Sequence, residues 1–280
     1  MSNLLRAQLR RTFRGRLFWV ELAVATLLAL TILLNGYFAT NLTNAYVFKL
    51  VARMFGYAPL MGVFVGLFTA HLWGCDYEFG TLRNPLICGH SRRAVYGSKL
   101  CCASLAGLAV TGVWLLLNLA VGLPLLGRPG LSDGMLVCYA FASLLMVLAL
   151  AALCTLLASL VSSRSAAYLL CLGAVAAMVI VGMVLYDHFS EPYLVPTGLM
   201  TVPDKATGEL VTYVPRNEQY VGGTARVVLE LALCLLPGGQ GVLLCEQGAE
   251  HMVLLPVCSL LVLVGTTLLG VRQFQRKELR

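Results

Sequence analysis

The sequence predicts an all-α polytopic membrane protein with six transmembrane helices, and three observations predict it. Of its 280 residues, 59% are hydrophobic and 12% charged, against about 25% charged in an ordinary soluble domain. The apolar residues gather into runs long enough to cross a bilayer core, which takes about 20 helical residues. The charges between those runs are sorted by sign from loop to loop, as expected of a multi-pass chain. Six spans leave no room for a large soluble domain, so residues 1–280 form a single transmembrane domain.

The elements follow in order. In residues 1–16, Leu4, Leu5, Leu9 and Phe13 recur at helical spacing among Arg6, Arg10, Arg11, Arg14 and Arg16. That is the pattern of an interfacial helix whose arginines face headgroups, although a plain basic flank carries the same charges. A signal peptide is the poorer reading, because the run Leu17–Phe38 is longer than an h-region and no A-x-A-like site follows it. The first span is therefore Leu17–Phe38, followed by Tyr57–Trp73, Leu100–Leu126, Gly134–Val161, Ala166–Tyr186 and Met252–Val271. A seventh apolar stretch, Val227–Leu236, is too short to cross at 1.5 Å per residue and is stopped by "PGGQG", Pro237 to Gly241. It reads as a re-entrant or surface hairpin in a long outer loop, Asp187–Glu250, whose apolar arms Val227–Leu236 and Val242–Cys245 dip into the outer leaflet or cap a pathway.

Charge gives the orientation. With the N-terminus inside, fourteen of the twenty Lys and Arg lie on the cytoplasmic side, and Lys49, Arg53, Arg128, Lys205, Arg216 and Arg226 lie outside. Nine of the thirteen acids are outside, among them Asp187, Glu191, Asp204, Glu209 and Glu218. Both termini are basic and hence cytoplasmic, which requires an even number of crossings. The net charge of +7 then reflects orientation and not nucleic-acid binding.

Chemistry is conspicuous by what is missing. There is no H-E-x-x-H, no G-x-S-x-G and no G-x-x-x-x-G-K-[ST], so no catalytic residues and no metal site are expected. Ion-coupled transporters carry ionisable groups at midplane; here Glu21 sits in the first turn of the first span, placed to reach back to the arginines. His71 reads as a packed histidine near the inner end of the second span. Eight of the ten cysteines fall within spans or on the cytoplasmic side as small apolar residues. Cys234 and Cys245 share the outer hairpin and would be bridged only if its arms fold back on each other. Asn41-Leu42-Thr43 matches a glycosylation sequon of the kind that arises by chance.

The polar stretch "DYEFGTLRNPLICGHSRRAVYGSKL", residues 76–100, interrupts this pattern. Phe79, Leu82 and Leu86 fall on one helical stripe while Glu78, Arg83 and Asn84 point elsewhere, as in a short amphipathic helix along the membrane. Gly89 is placed to end it in a left-handed cap, and Ser91 to N-cap the helix starting at Arg92. Pro85 disfavours helical geometry at Asn84 and marks a kink or early break. A basic loop anchoring two spans is the plain alternative.

The same stretch resembles the E-x-G-T-[LI]-R-N-x-L-x-x-G-x-S-R-x-x-x-Y-x-[SA]-K pattern of type-2 ABC transporter permeases. The resemblance is carried by Glu78, Gly80, Thr81, Leu82, Arg83, Asn84, Leu86, Gly89, Ser91, Arg92, Tyr96, Ser98 and Lys99. "YVGGTAR" (Tyr220, Gly222, Gly223) and "LPGGQG" (Pro237, Gly238, Gln240) are similar to outer-hairpin sequences of Gram-positive permeases for antimicrobial-peptide export or self-protection. The resemblance implies a bacterial plasma-membrane permease in which residues 76–92 are a coupling helix docking on a separate ATPase subunit. That partner would bind ATP and Mg, and this chain would hold no cofactor. It also implies a second permease copy or a related permease, with Gly62-x-x-x-Gly66 and Gly173-x-x-x-Ala177 as small faces for close packing within or between subunits. Tyr193, Tyr213 and Tyr220, with the outer acids, are placed to meet an emerging cationic or amphipathic substrate, and the composition of a solvated loop explains them equally well. The alternative is a signalling or assembly protein that uses the same docking segment without moving substrate.

Overall fold

The computed structural model describes residues 2–43, 54–127, 132–194, 200–203, 210–213 and 217–277. Lys49, Arg53, Arg128, Asp204, Lys205, Glu209, Arg216 and Arg280, which entered the charge reading, lie outside the described residues.

Among the described residues six helices are long and apolar enough to cross a membrane, Arg16–Phe38, Ala58–Glu78, Arg92–Leu126, Asp133–Leu160, Arg164–Ser190 and Leu254–Arg276, and the bent pair Thr224–Leu235 with Pro237–Glu246 would make a seventh if it is one broken span. The chain is a multi-pass membrane protein in its architecture. In chain order, α1 (Ser2–Arg14) precedes α2 (Arg16–Thr43), α3 (Met61–Glu78), the four-residue α4 (Asn84–Ile87), and α5 (Arg92–Leu117). A π-turn over Asn118–Gly122 carries α5 into α6 (Leu123–Leu126), and α7 (Asp133–Leu160) and α8 (Arg164–Ser190) follow. Then come α9 (Thr224–Leu235), α10 (Pro237–Glu246) and α11 (Leu254–Arg276). Besides helices, the described residues include a short antiparallel pair, β1 (Met200–Pro203) with β2 (Leu210–Tyr213), in which Met200 faces Tyr213.

Serine hydroxyls start three of the long helices, because the first N–H groups of a helix have no acceptor within it. Ser91 accepts from Ala94 N at 3.3 Å, Ser132 from Met135 N at 3.4 Å and Ser163 from Ala166 N at 3.3 Å. Lipid supplies no hydrophobic force between helices, so close packing and polar contacts hold them together. The two innermost helices use small residues for this. α7 buries Ala142, Ser143, Ala149, Ala151, Ala152, Cys154, Thr155 and Ala158, and α3 buries Gly62 and Gly66. A Cβ on Gly62 would lie 2.5 Å from Val175 Cγ1, so the Gly62–Gly66 face packs within the chain, against α8. A Cβ on Gly173 meets nothing within 4 Å, and Ala177 beside it is exposed, so that small face is open. On α2 a seam of Phe18, Glu21, Ala25, Ala29 and Leu33 is buried while Leu27, Leu34 and Phe38 face outward.

One expectation is corrected. Glu21 is 6% exposed and makes no ion pair among the described residues; its position on the buried seam turns it away from the arginines. "PGGQG" stops the first arm as expected, α9 ending at Leu235, but it also starts a second helix. The chain turns by 110° between Leu235 and Pro237, and Pro237 then opens α10 from its first position, where its missing N–H costs nothing. The glycines are there for contact. A Cβ on Gly238 would sit 2.7 Å from backbone atoms of Met178 and Val179, one on Gly239 2.7 Å from Leu233 O, and one on Gly241 2.9 Å from Ala58 O. The second apolar arm is thus buried in protein, with Val242, Leu243 and Leu244 at most 6% exposed, whereas Val227, Val228 and Leu231 on the first arm stay exposed.

Candidate functional site

The segment singled out by sequence lies where five elements meet at one end of the bundle. Its first residues belong to the second span. α3 continues past Trp73 to Glu78, and Gly80 then breaks it with a φ of 61°, in the left-handed region that glycine adopts without strain. A 3₁₀ turn over Thr81–Arg83 leads into α4, and Gly89, with a φ of 84°, turns the chain into Ser91 and α5. The break expected at Asn84 falls instead at Gly80: Asn84 is helical and opens α4, and Pro85 sits in its first turn, where it is tolerated, so the segment is a turn plus one helical turn.

Asp76 is the centre of the cluster. Its carboxylate is 4% exposed and meets Lys99 Nζ at 2.6 Å, Arg11 Nη1 at 2.7 Å and the Thr81 hydroxyl, which donates at 2.7 Å. Lys99 is fully buried; it also donates to Leu72 O at 3.0 Å and lies 4.4 Å above the Trp73 ring. Trp73 packs edge-on to Phe274 at 5.3 Å and near Tyr96 at 6.0 Å, so the last helix shares the same base. A buried ion pair costs desolvation and is tolerated only when fully bonded, as this one is. It ties α1, α3, the Thr81 turn and α5 together.

Flanking contacts extend the clasp. Glu78 pairs with Arg164 at the start of α8 at 2.6 Å, across a surface where Gly74 leaves room for Arg164. Arg92 donates to Phe274 O, Gln275 O and Lys277 O, the free carbonyls at the end of α11. Lys277 in turn donates to Ser159 O at 2.8 Å and to Val161 O at the end of α7, and to Tyr77 Oη at 3.2 Å. Cations there satisfy orphan carbonyls and oppose the negative end of the helix dipole. Burial holds the Lys277 ammonium below its usual pKa.

The residues named from the sequence divide into two sets. Glu78, Thr81, Leu82 and Arg92 are engaged with the rest of the chain, Leu82 at 5% exposure. Arg83 and Asn84 are exposed, Leu86 is half-buried, and Gly80, Gly89 and Ser91 shape the turns. The expected stripe of Phe79, Leu82 and Leu86 is not one face, because the Gly80 turn changes the register. The outward face is instead Phe79, 68% exposed, with Arg83 and Ile87, 80% exposed. Sequence reasoning missed Ile87 and Asp76, and no local spacing signalled either of them, since the segment is not one helix.

The outer residues fall at opposite ends of α9. Tyr220, Gly222 and Gly223 form the turn into it: Tyr220 packs edge-on to Tyr193 at 5.2 Å, a Cβ on Gly222 would come 2.8 Å from the Tyr220 ring, and Gly223 has a φ of 64°. Pro237, Gly238 and Gln240 form the bend out of it. Gln240 is buried, donates to Cys234 O and to Leu255 O at 3.3 Å, and accepts from Ser259 Oγ at 2.7 Å, joining α9, α10 and α11. Cys234 and Cys245 are free thiols, as are the other eight. His71 is packed, 3.0 Å from the Tyr168 hydroxyl. The side chain of Tyr213 and those of Asn41 to Thr43 lie outside the described residues.

One other titratable cluster stands near the outer hairpin. Glu230, Glu250 and His251 bring one ligand atom each within 4.8 Å of one another. The buried Glu230 accepts from His251 N and pairs with His251 Nδ1, both at 2.7 Å, and Glu250 pairs with Arg226 at 2.7 Å. Those ion pairs account for the carboxylates, and Glu230 raises the His251 pKa. The chain matches no protein-family model and no curated protein.

Proposed function

We propose that this chain is the membrane-spanning subunit of an ATP-driven type-2 ABC exporter, energised by a separate ATPase that binds ATP and Mg. The observation that carries the reading is the turn-helix unit 79–91, which presents Phe79, Arg83 and Ile87 outward while its base is bonded to α1, α5, α8 and α11. Two exposed apolar side chains beside an arginine suit a groove on a partner protein. A short, stiff element rooted in several spans transmits displacement as a rigid body, where a loose loop would absorb it.

The rest of the reading follows from the resemblance and from charge. The basic end of the bundle is cytoplasmic, with both termini, in a plasma membrane. Two permeases meet about a twofold axis, with the open Gly173–Ala177 face available for the second copy. The bent pair α9–α10 serves as a re-entrant hairpin over the outer end of a path for an amphipathic or hydrophobic substrate.

The test is co-purification with a co-expressed ABC ATPase, taken from a neighbouring gene where one encodes it. Phe79→Ser combined with Ile87→Ser should lose the ATPase while the permease stays folded, since neither side chain is packed. Unchanged recovery would remove the segment from the docking account.

A further inference from the structure

A cavity of about 370 Å³ lies between the α1–α2 junction and α3. Arg11 and Arg16 stand in its wall, with Phe18, Phe68 and Leu72 forming an apolar side. Arg16 meets no carboxylate among the described residues, and Arg11, paired to Asp76 through one nitrogen, keeps other donors for a second anion. Arginine recognises phosphate through just such paired donors.

Trp19, beside the cavity on α2, marks the level of the α1–α2 junction in the bilayer. Its indole is 58% exposed and donates to Phe13 O at 2.8 Å, bracing α2 against α1 across Gly15. Exposed tryptophans settle at the boundary between headgroups and acyl chains. Cationic groups at that level over an apolar wall match an anionic lipid, with phosphate on the guanidiniums and acyl carbons against the phenyl rings.

We infer that this cavity is a binding site for one anionic phospholipid of the leaflet on the α1 side, its phosphate held by Arg11 and Arg16 and its proximal acyl chain by Phe18, Phe68 and Leu72. Through Arg11 the lipid would share a side chain with Asp76, the residue that roots the 79–91 unit. The site depends on the protein being membrane-embedded and not on the transport reading.

Native mass spectrometry of the full-length protein, titrated with dioleoylphosphatidylglycerol, dioleoylphosphatidylcholine or inorganic phosphate, tests it. One phosphatidylglycerol should bind at least about tenfold more tightly than phosphatidylcholine or phosphate, the scale of one charge-assisted hydrogen bond. Arg16→Gln should weaken it about tenfold, and Arg6→Gln, which lies outside the cavity, less than about twofold. Equal binding of the two lipids, phosphate as tight as lipid, or equal effects of the two variants would overturn the assignment. Should Arg16→Gln not fold, wild-type protein still decides. Cys75 lines the cavity, and its alkylation by N-ethylmaleimide, read peptide by peptide, should slow with phosphatidylglycerol while exposed Cys88 does not. An unchanged Cys75 rate refutes the site.

Discussion

Replacing Asp76 by Asn should be the most damaging single change at the basic end of the bundle. The substitution keeps size but turns one acceptor oxygen into an NH2 donor and removes the charge facing Lys99, whose side chain is 0% exposed. The ammonium would retain only Leu72 O at 3.0 Å and the Trp73 ring at 4.4 Å. Breaking a buried pair by removing one partner costs about 3–5 kcal/mol, because the other charge is left uncompensated. The half-exposed Arg11 adds little, since solvent screens its contact. The unfolding constant should therefore rise more than about a hundredfold, measured by dodecyl sulfate titration of the purified protein in mixed micelles. Removing both charges, Asp76→Leu with Lys99→Met, should recover at least about 2 kcal/mol relative to the sum of the single losses. Asp76→Asn within about 1 kcal/mol of wild type, or strict additivity in the cycle, would refute the argument that this pair roots the segment.

Three further outcomes are expected. Gly238→Ala should cost about 1–3 kcal/mol by overpacking against Met178 and Val179 backbone, whereas Gly173→Ala should leave thermal stability unchanged. Gln240→Leu should cost about 1–3 kcal/mol, because Cys234 O, Leu255 O and the Ser259 hydroxyl each lose a buried partner; Ser259→Ala, which removes one contact, should cost less in the same titration. The His251–Glu230 pair stabilises the fold while His251 is protonated: the contribution is complete below the unfolded histidine pKa of about 6.5 and fades as pH rises through its raised folded value. The melting temperature gap between wild type and His251→Gln should thus be larger at about pH 6 than at about pH 9, and a gap independent of pH would count against the ion pair.

What the sequence made legible was set by how local the cause is. The six spans, the Ser91 cap and the Gly89 turn depend on neighbours within a helical turn or on composition, and each is readable in a window. The extension of α3 to Glu78 was not, because Asp76 stays in the helix through partners on α1 and α5 that no window contains. "PGGQG" reads as a break and is one, but the helix that starts from it was not legible, because packing against α8 and Ala58 is what rewards a glycine-faced helix there. The exposure of Phe79, Arg83 and Ile87 was hidden by the Gly80 turn, which shifts register before the point where the sequence places a break.

The central claim is that residues 79–91 dock on an ATPase. Photocrosslinking from the full-length chain in membranes, with p-benzoylphenylalanine placed at Ile87 or at the exposed Leu260 within the last span, tests it most directly. A crosslink to the co-expressed ATPase from position 87 and none from position 260 is the result the account predicts. No crosslink from 87, with the ATPase present in the same membranes, would contradict it.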